Sequence, residues 1–270
     1  MGRRVRPSVA GAPASEEVRP GFRAFVARTL GPEGRSWLDA LQDTVAEAER
    51  RLDVRCGAEL PGGLLSFVCA AETVGGSAVV LKVAGPWDRP ADESLTLRAW
   101  DGSGAPRLID EVPDLGALLL ERVVPGTTAA PTPDAVGGLL RILHVPAPPG
   151  LPDLDDVVRE RLARAVAERR ISADRAAHAA ELVGELTEGG PAPRLVHGDF
   201  TARNLLDCAR RGLVAIDPLP GAGDPAYDAA TWAHAWGAPG HRERQAALAT
   251  ALDLDPDRVR RWGVVVAAHR

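Results

Sequence analysis

From Ser36 onward, Leu38, Leu41, Val45, Ala48 and Leu52 recur at steps of three and four residues. This spacing predicts an amphipathic helix with one apolar face. The period then changes. Segments 53–60, 64–71 and 77–84 are short and β-branched-rich, and Pro-Gly-Gly and Gly-Gly separate them, as in a meander of antiparallel strands. A helix is expected over 90–100, with Pro90 near its start and Asp92 and Glu93 in its first turn. Two further strands, 106–112 and 116–123, complete a small sheet, and Pro125-Gly126 breaks the pattern as a connector. Beyond it, helices are predicted at 132–144, 154–170, 173–188, 225–236, 241–252 and 256–268, the last opened by Asp255-Pro256. A pair of short strands, about 194–197 and 213–217, interrupts them and flanks a loop. The expected class is α+β in two lobes: residues 1–123 with a small antiparallel sheet and residues 124–270 mostly helical. The cleft between such lobes is the default ligand site.

Composition narrows the function. A chain of 270 residues, 45% hydrophobic and 26% charged, has the makeup of an ordinary soluble globular protein, long enough for two compact units. Its net charge of −5 argues against nucleic-acid binding as the main task and favours cationic partners. Cys56, Cys69 and Cys208 are odd in number, widely spaced and without a zinc pattern, so each reads as a small buried hydrophobe in a reducing compartment. Residues 1 to about 14 are Pro/Gly/Arg-rich, read as frayed, and lack the apolar core of a signal peptide. No run approaches the 18 or so apolar residues of a membrane span. A cytoplasmic protein is expected.

One residue stands apart. Arginine supplies 31 of the 32 basic residues, and the exception is Lys82, inside the apolar run Val79–Val83. A position that stays lysine in such a chain points to a need for a compact ammonium on a flexible stem. Strand lysines of this kind reach nucleotide phosphates in kinase-type folds. The competing reading is an edge-strand lysine that snorkels to solvent.

The densest chemistry lies in LVHGDFTARNLL (195–206), followed by LVAID (213–217). Three oxygen-bearing side chains, Asp199, Asn204 and Asp217, fall at the ends of neighbouring strands and could converge in one cleft; hard oxygen donors suit Mg²⁺. His197 reads as a loop brace rather than a metal ligand, and Asp228 as a helix cap or a brace of the same loop. Trp232, Trp236 and Trp262 read as core. The run Asp153, Asp155, Asp156 reads as a solvated helix start, with contact to a polycation as the alternative.

HGDFTARN resembles the His-x-Asp-x-x-x-x-Asn loop of kinase-like phosphotransferases. Together with GDPAYDAATW (223–232) it resembles the aminoglycoside phosphotransferase family. LKV, LRAWDGSGAPRLID and GALLLER are similar to its streptomycin 6-phosphotransferase/hydroxyurea phosphotransferase branch, and the likeness spans about 35–265. The resemblance implies a two-lobed protein-kinase-like fold and ATP-dependent phosphorylation of a hydroxyl on a small cationic substrate. It makes Asp199 the catalytic base and Asn204 and Asp217 the holders of Mg²⁺. Lys82 would meet the α/β-phosphates, steadied by Glu93, with Asp88 and Asp92 as alternatives, and the backbone of Glu121 to Val123 would meet adenine. Phe200-Thr201 departs from the family's Leu-His, which would reshape the substrate-side wall. Pro218 follows Asp217, so there is no Asp-Phe-Gly switch. The nucleotide loop Pro61-Gly62-Gly63-Leu64 lacks GxGxxG, and the chain ends sooner after Trp262 than the resemblance implies. The rivals are a kinase for hydroxyurea or another metabolite and a nucleotide-binding pseudokinase.

Overall fold

The structure is a computed structural model that describes residues 18–61, 65–234 and 240–269. The chain divides into two compact units. One holds the residues up to Pro90 together with Ile109–Arg122; the other holds Ala91–Leu108 and everything from Val123 onward.

In the first unit, helices α1 (Pro20–Thr29) and α2 (Gly31–Leu52) precede a five-stranded sheet. Its strands are β1 (Val54–Glu59), β2 (Ser66–Thr73), β3 (Ala78–Ala84), β4 (Leu108–Val112) and β5 (Ala117–Glu121), in the order β1-β2-β3-β5-β4. The expected apolar stripe of α2 is buried at Leu38, Leu41, Ala48 and Leu52 and packs with Phe67, Leu81, Val83 and Leu119 from the sheet. Asp53 turns the chain from helix to strand in a left-handed conformation (φ 52°), which aspartate tolerates. Helix α1 was not legible in the sequence, because only Phe22 and Val26 are buried, with Phe25 and Ala27 packed partly against the core. The three cysteines are buried, as expected.

The second unit contains α3 (Pro90–Trp100), α4 (Pro133–Leu143), α5 (Leu154–Ala167), α6 (Ala173–Thr187), α7 (Ala226–Ala233), α8 (His241–Leu252) and α9 (Pro256–His269). Residues 91–108 belong here because their polar groups bond here. Trp100 Nε1 donates to Leu143 O (2.8 Å), Ala215 N donates to Gly104 O (2.8 Å), and Arg211 donates to Gly102 O and Ala105 O. The far end of the helix expected over 225–236, and with it Trp236, lies outside the described residues, as do Gly62, Gly63 and Leu64 of the expected nucleotide loop. Trp232 and Trp262 are core residues.

Two small sheets frame the predicted loops. Strand β7 (Arg194–Val196) pairs with β10 (Gly221–Gly223), and β6 (Pro125–Thr128), β8 (Leu205–Cys208) and β9 (Gly212–Ala215) form a second sheet in the order β6-β8-β9. Pro125-Gly126 thus opens a strand instead of merely breaking one. Proline is tolerated there because β6 is an edge strand. Residues 197–204 leave β7 and enter β8, while 216–220 leave β9 and enter β10. Since β7 pairs with β10 and β8 with β9, all four ends of the two loops are held in paired strands.

Asp224 closes this arrangement onto the helices. Its carboxylate accepts from Ala226 N (2.9 Å) at the start of α7 and from Arg258 Nε and Trp262 Nε1 of α9, both at 2.5 Å. The side chain is 4% exposed, so its removal leaves the buried Trp262 indole N–H without its acceptor and the half-buried Arg258 guanidinium without its carboxylate. Asp224→Ala should therefore lower the unfolding free energy by about 3–5 kcal/mol, the usual cost of breaking a buried ion pair from one side. Urea denaturation of parent and variant measures this, and a loss below about 1 kcal/mol would show that α9 does not depend on the contact.

Candidate active site

The loop 197–204 is built around a buried carboxylate. Asp228, on α7 and fully buried, accepts from His197 N (2.7 Å, Oδ2) and Gly198 N (2.9 Å, Oδ1). His144, which follows α4, places Nε2 3.1 Å from Oδ2. Burial works to raise this carboxyl's pKa, but the bond and charge of His144, with His197 behind it, prevail and hold it below the usual carboxylate range. Asp228 is thus a loop brace.

His197 is a brace as well. Its ring is buried, stacks on Trp100 (23° between planes, centroids 6.0 Å) and meets Phe200 edge-on. Nδ1 lies 3.3 Å from Asp199 N and Nε2 lies 3.0 Å from Ile216 O. The pattern assigns the neutral tautomer, with Nδ1 accepting and Nε2–H donating. Burial pushes the imidazole pKa down, only partly offset by nearby Asp228 and Asp199. Phe200 is fully buried against this ring, so the expected change to a substrate-side wall is instead a change of core packing.

Two of the three oxygen-bearing residues are joined directly, and the third lies on the loop bonded to theirs. Asn204 Nδ2 donates to both the main-chain O (2.9 Å) and Oδ2 (2.8 Å) of Asp199. Arg203 lies 3.5 Å from the same Oδ2, and the Asp199 side chain keeps 14% of its surface exposed. The expected strand over 213–217 ends at Ala215, and Asp217 sits two residues beyond it with φ 57°. Asp217 is bracketed by two bonds to the first loop: Ile216 N donates to Asn204 O (2.9 Å) and Leu219 N to His197 O (2.9 Å). Gly198 makes the crossing possible. Its φ is 77°, and a Cβ there would overlap the Leu219 carbonyl oxygen.

The remaining candidates fall on the sheet, on α3 and after β5. Lys82 lies on β3, opposite Val68 and Leu118, in the middle strand of five, and is 5% exposed. It is therefore no edge-strand lysine. Glu93, in the first turn of α3, is equally buried. Glu121 ends β5, and Val123 packs with Cys208 and Val214. Of the alternatives to Glu93, Asp88 accepts from Ser66 Oγ (2.6 Å). Asp153, Asp155 and Asp156 form a separate carboxylate cluster at the start of α5.

Two contributors escaped the sequence. His144 gave no signal, since its partner is 84 residues away. Arg161 gave one: it interrupts the buried stripe Leu154, Val158, Leu162, Ala165 of α5. Its Nη1 donates to Gly198 O (2.7 Å) and Tyr227 Oη (2.8 Å), and its Nη2 to Leu219 O (3.3 Å).

The buried neutral His197 makes the fold acid-sensitive. Its folded pKa lies below the ordinary value near 6.5, so the unfolded chain takes up the proton first and stability falls as pH drops below about 6.5. The slope contributed is at most about 1.4 kcal/mol per pH unit. Asp228, with its depressed pKa, adds stability above about pH 4 that is lost only as pH falls through its folded value. Thermal unfolding from pH 7.5 to 5 should show the decline in the parent and a flatter profile in His197→Gln. Parallel profiles would remove His197 as the cause.

Similarity to known proteins establishes the family. A family model described as aminoglycoside/hydroxyurea antibiotic resistance kinase matches residues 52–269. Streptomycin 6-kinase of Streptomyces glaucescens is 36% identical over 228 residues, covering 78% of this chain and 73% of that protein. Hydroxyurea phosphotransferase of Kitasatospora aureofaciens is 34% identical over 216 residues, covering 73% and 62%. Among solved structures, a choline/ethanolamine kinase family protein from Mesorhizobium loti superposes with TM-score 0.61 at 18% identity, covering 83% of this chain and 82% of that one. Macrolide 2'-phosphotransferase type I superposes with TM-score 0.54 at 15% identity, covering 84% and 88%. These two show the kinase-like fold, and the match across residues 52–269 with relatives above 30% identity shows that the chain belongs to the aminoglycoside/hydroxyurea antibiotic resistance kinase family.

Proposed function

We propose that this protein inactivates a streptomycin-type aminoglycoside by transferring the γ-phosphoryl group of ATP to one of its hydroxyls. The observation that carries the reading is the pair of hydrogen bonds from Asn204 Nδ2 to Asp199, which fixes a partly exposed carboxylate on a loop whose backbone is bonded on either side of Asp217. In this reading Asp199 orients the acceptor hydroxyl and takes its proton as the new O–P bond forms and the bond to ADP breaks. Phosphoryl transfer asks mainly for positioning and charge neutralisation, so few side chains suffice.

Magnesium fits the donor set. Asn204 commits Nδ2 to Asp199, so its Oδ1 is the atom left to face an ion, and Asp217 adds a second hard oxygen donor. Bound there with ATP, the ion would neutralise phosphate charge. Lys82 would hold the α/β-phosphates, steadied by Glu93, and the backbone of Glu121 and Val123 would receive adenine. The nucleotide half would then be residues 1–123 and the substrate half 124–270. No helix among the described residues is long and apolar enough to cross a membrane, and we place the reaction in the cytoplasm, where ATP is plentiful. An acidic chain suits an antibiotic bearing guanidinium groups.

The deciding assay offers streptomycin, other aminoglycosides and hydroxyurea with Mg·ATP and reads phosphorylated product by mass. Streptomycin should be the preferred acceptor; product from hydroxyurea alone would reassign the substrate, and ATP binding without any product would favour a pseudokinase. Asp199→Asn should keep antibiotic binding but lower turnover about 10²–10⁴-fold, the range for removal of a general base. Lys82→Arg should lower kcat/KM by about tenfold or more, since a bulky planar cation cannot reproduce the ammonium's geometry. A Lys82→Arg enzyme within about threefold of the parent would remove Lys82 from the phosphate site.

A further inference from the structure

Arg161 is the feature of the molecule that the proposed chemistry does not yet use. It projects from α5 at a position where helical spacing calls for an apolar residue. The guanidinium forks. Nη1 reaches Gly198 O, the carbonyl immediately before Asp199, and also the hydroxyl of Tyr227, the neighbour of Asp228 on α7. Nη2 reaches Leu219 O, two residues beyond Asp217. All three acceptors are uncharged, and among the described residues no carboxylate pairs with Arg161. An arginine serving only to stabilise a helix surface would be expected to take an acidic partner or face water. This one spends its donors on the main chain of both functional loops.

The local geometry explains why a clamp is needed. The loops cross where Gly198 meets Leu219, at a contact that leaves no room for a Cβ. One backbone bond, Leu219 N to His197 O, joins them there. Ile216 is bonded to Asn204 O and to His197 Nε2 farther along, and Arg161 adds a side-chain tie at the Gly198–Leu219 crossing itself. We infer that Arg161 is a positioning residue for phosphoryl transfer, setting the distance between the loop that carries the base Asp199 and the loop that carries the metal ligand Asp217. This rests on the roles proposed for those two residues. It also explains the residue type: a lysine has one nitrogen and cannot span diverging acceptors on two loops, whereas a guanidinium does so in its own plane.

The test uses Arg161→Lys and Arg161→Ala, assayed well below their unfolding temperatures and normalised to folded protein. Displacing a reacting group by an ångström costs about 10²-fold. Arg161→Ala should therefore lose about 10- to 100-fold in kcat with both KM values little changed, and should need more Mg²⁺ for half-maximal rate. Arg161→Lys should recover only part of the loss, and millimolar guanidinium should partly rescue Arg161→Ala. A purely structural role would lower the unfolding temperature and leave kcat per folded molecule and the Mg²⁺ requirement unmoved. Amide hydrogen exchange provides a readout independent of turnover: the Leu219 amide should exchange about tenfold faster in either variant while the amides of α6 do not change. If the parent phosphorylates nothing in the panel, the proposed function fails, and the exchange result alone decides whether Arg161 ties the loops. Unchanged kcat, Mg²⁺ dependence and Leu219 exchange in folded Arg161→Lys would overturn the inference.

Discussion

The loop from His197 to Asn204 hangs on one buried carboxylate. Asp228 has no exposed surface, and it is stable as an anion there because two main-chain amides and an imidazole supply the hydrogen bonds that water would otherwise give. The two amides belong to consecutive residues, His197 and Gly198, so the carboxylate fixes the direction in which the chain leaves β7. From that direction follow the inward ring of His197, the outward side chain of Asp199 and the approach of Gly198 to Leu219. A buried charge of this kind adds little net stability. Its value lies in specifying one conformation, because every alternative leaves the carboxylate or the amides unpaired.

Much of this was legible in the sequence. The helices α3, α4, α6, α8 and α9 fall within about two residues of the expected spans; α4, α6 and α9 bury an apolar stripe, side-chain caps at Thr132 and Ser172 open α4 and α6, and prolines open α3 and α9. Lys82 was legible for a compositional reason: in a chain that otherwise uses arginine, a retained lysine is informative. The spacing of Asp199, Asn204 and Asp217 was legible because short strands leave loops of defined length between them.

What escaped has a common cause. Strands β6, β8 and β10 are three or four residues long and too short to show alternation, and they exist because partners distant in sequence supply their hydrogen bonds. His144 and Arg161 act on residues 84 and 37 positions away. Arg161 left a local trace, a charge within an apolar stripe, but the trace does not say what the charge will touch. Phe200 misled for the opposite reason. Its position in the motif points to the substrate, and only the packing of the His197 ring turns it inward.

The contact between Gly198 and Leu219 bears on how such an enzyme can change. The volume that any side chain at 198 would need is filled by main chain, and main chain cannot be shortened by a point substitution. Selection for a new antibiotic therefore has no route through this position, nor through its buried neighbours His197 and Phe200, without dismantling the brace. Divergence has to be recruited from residues whose side chains already face outward, on helices that do not carry the loops. An architecture of this kind separates a loop crossing frozen by steric exclusion from outward-facing positions that stay open to drift.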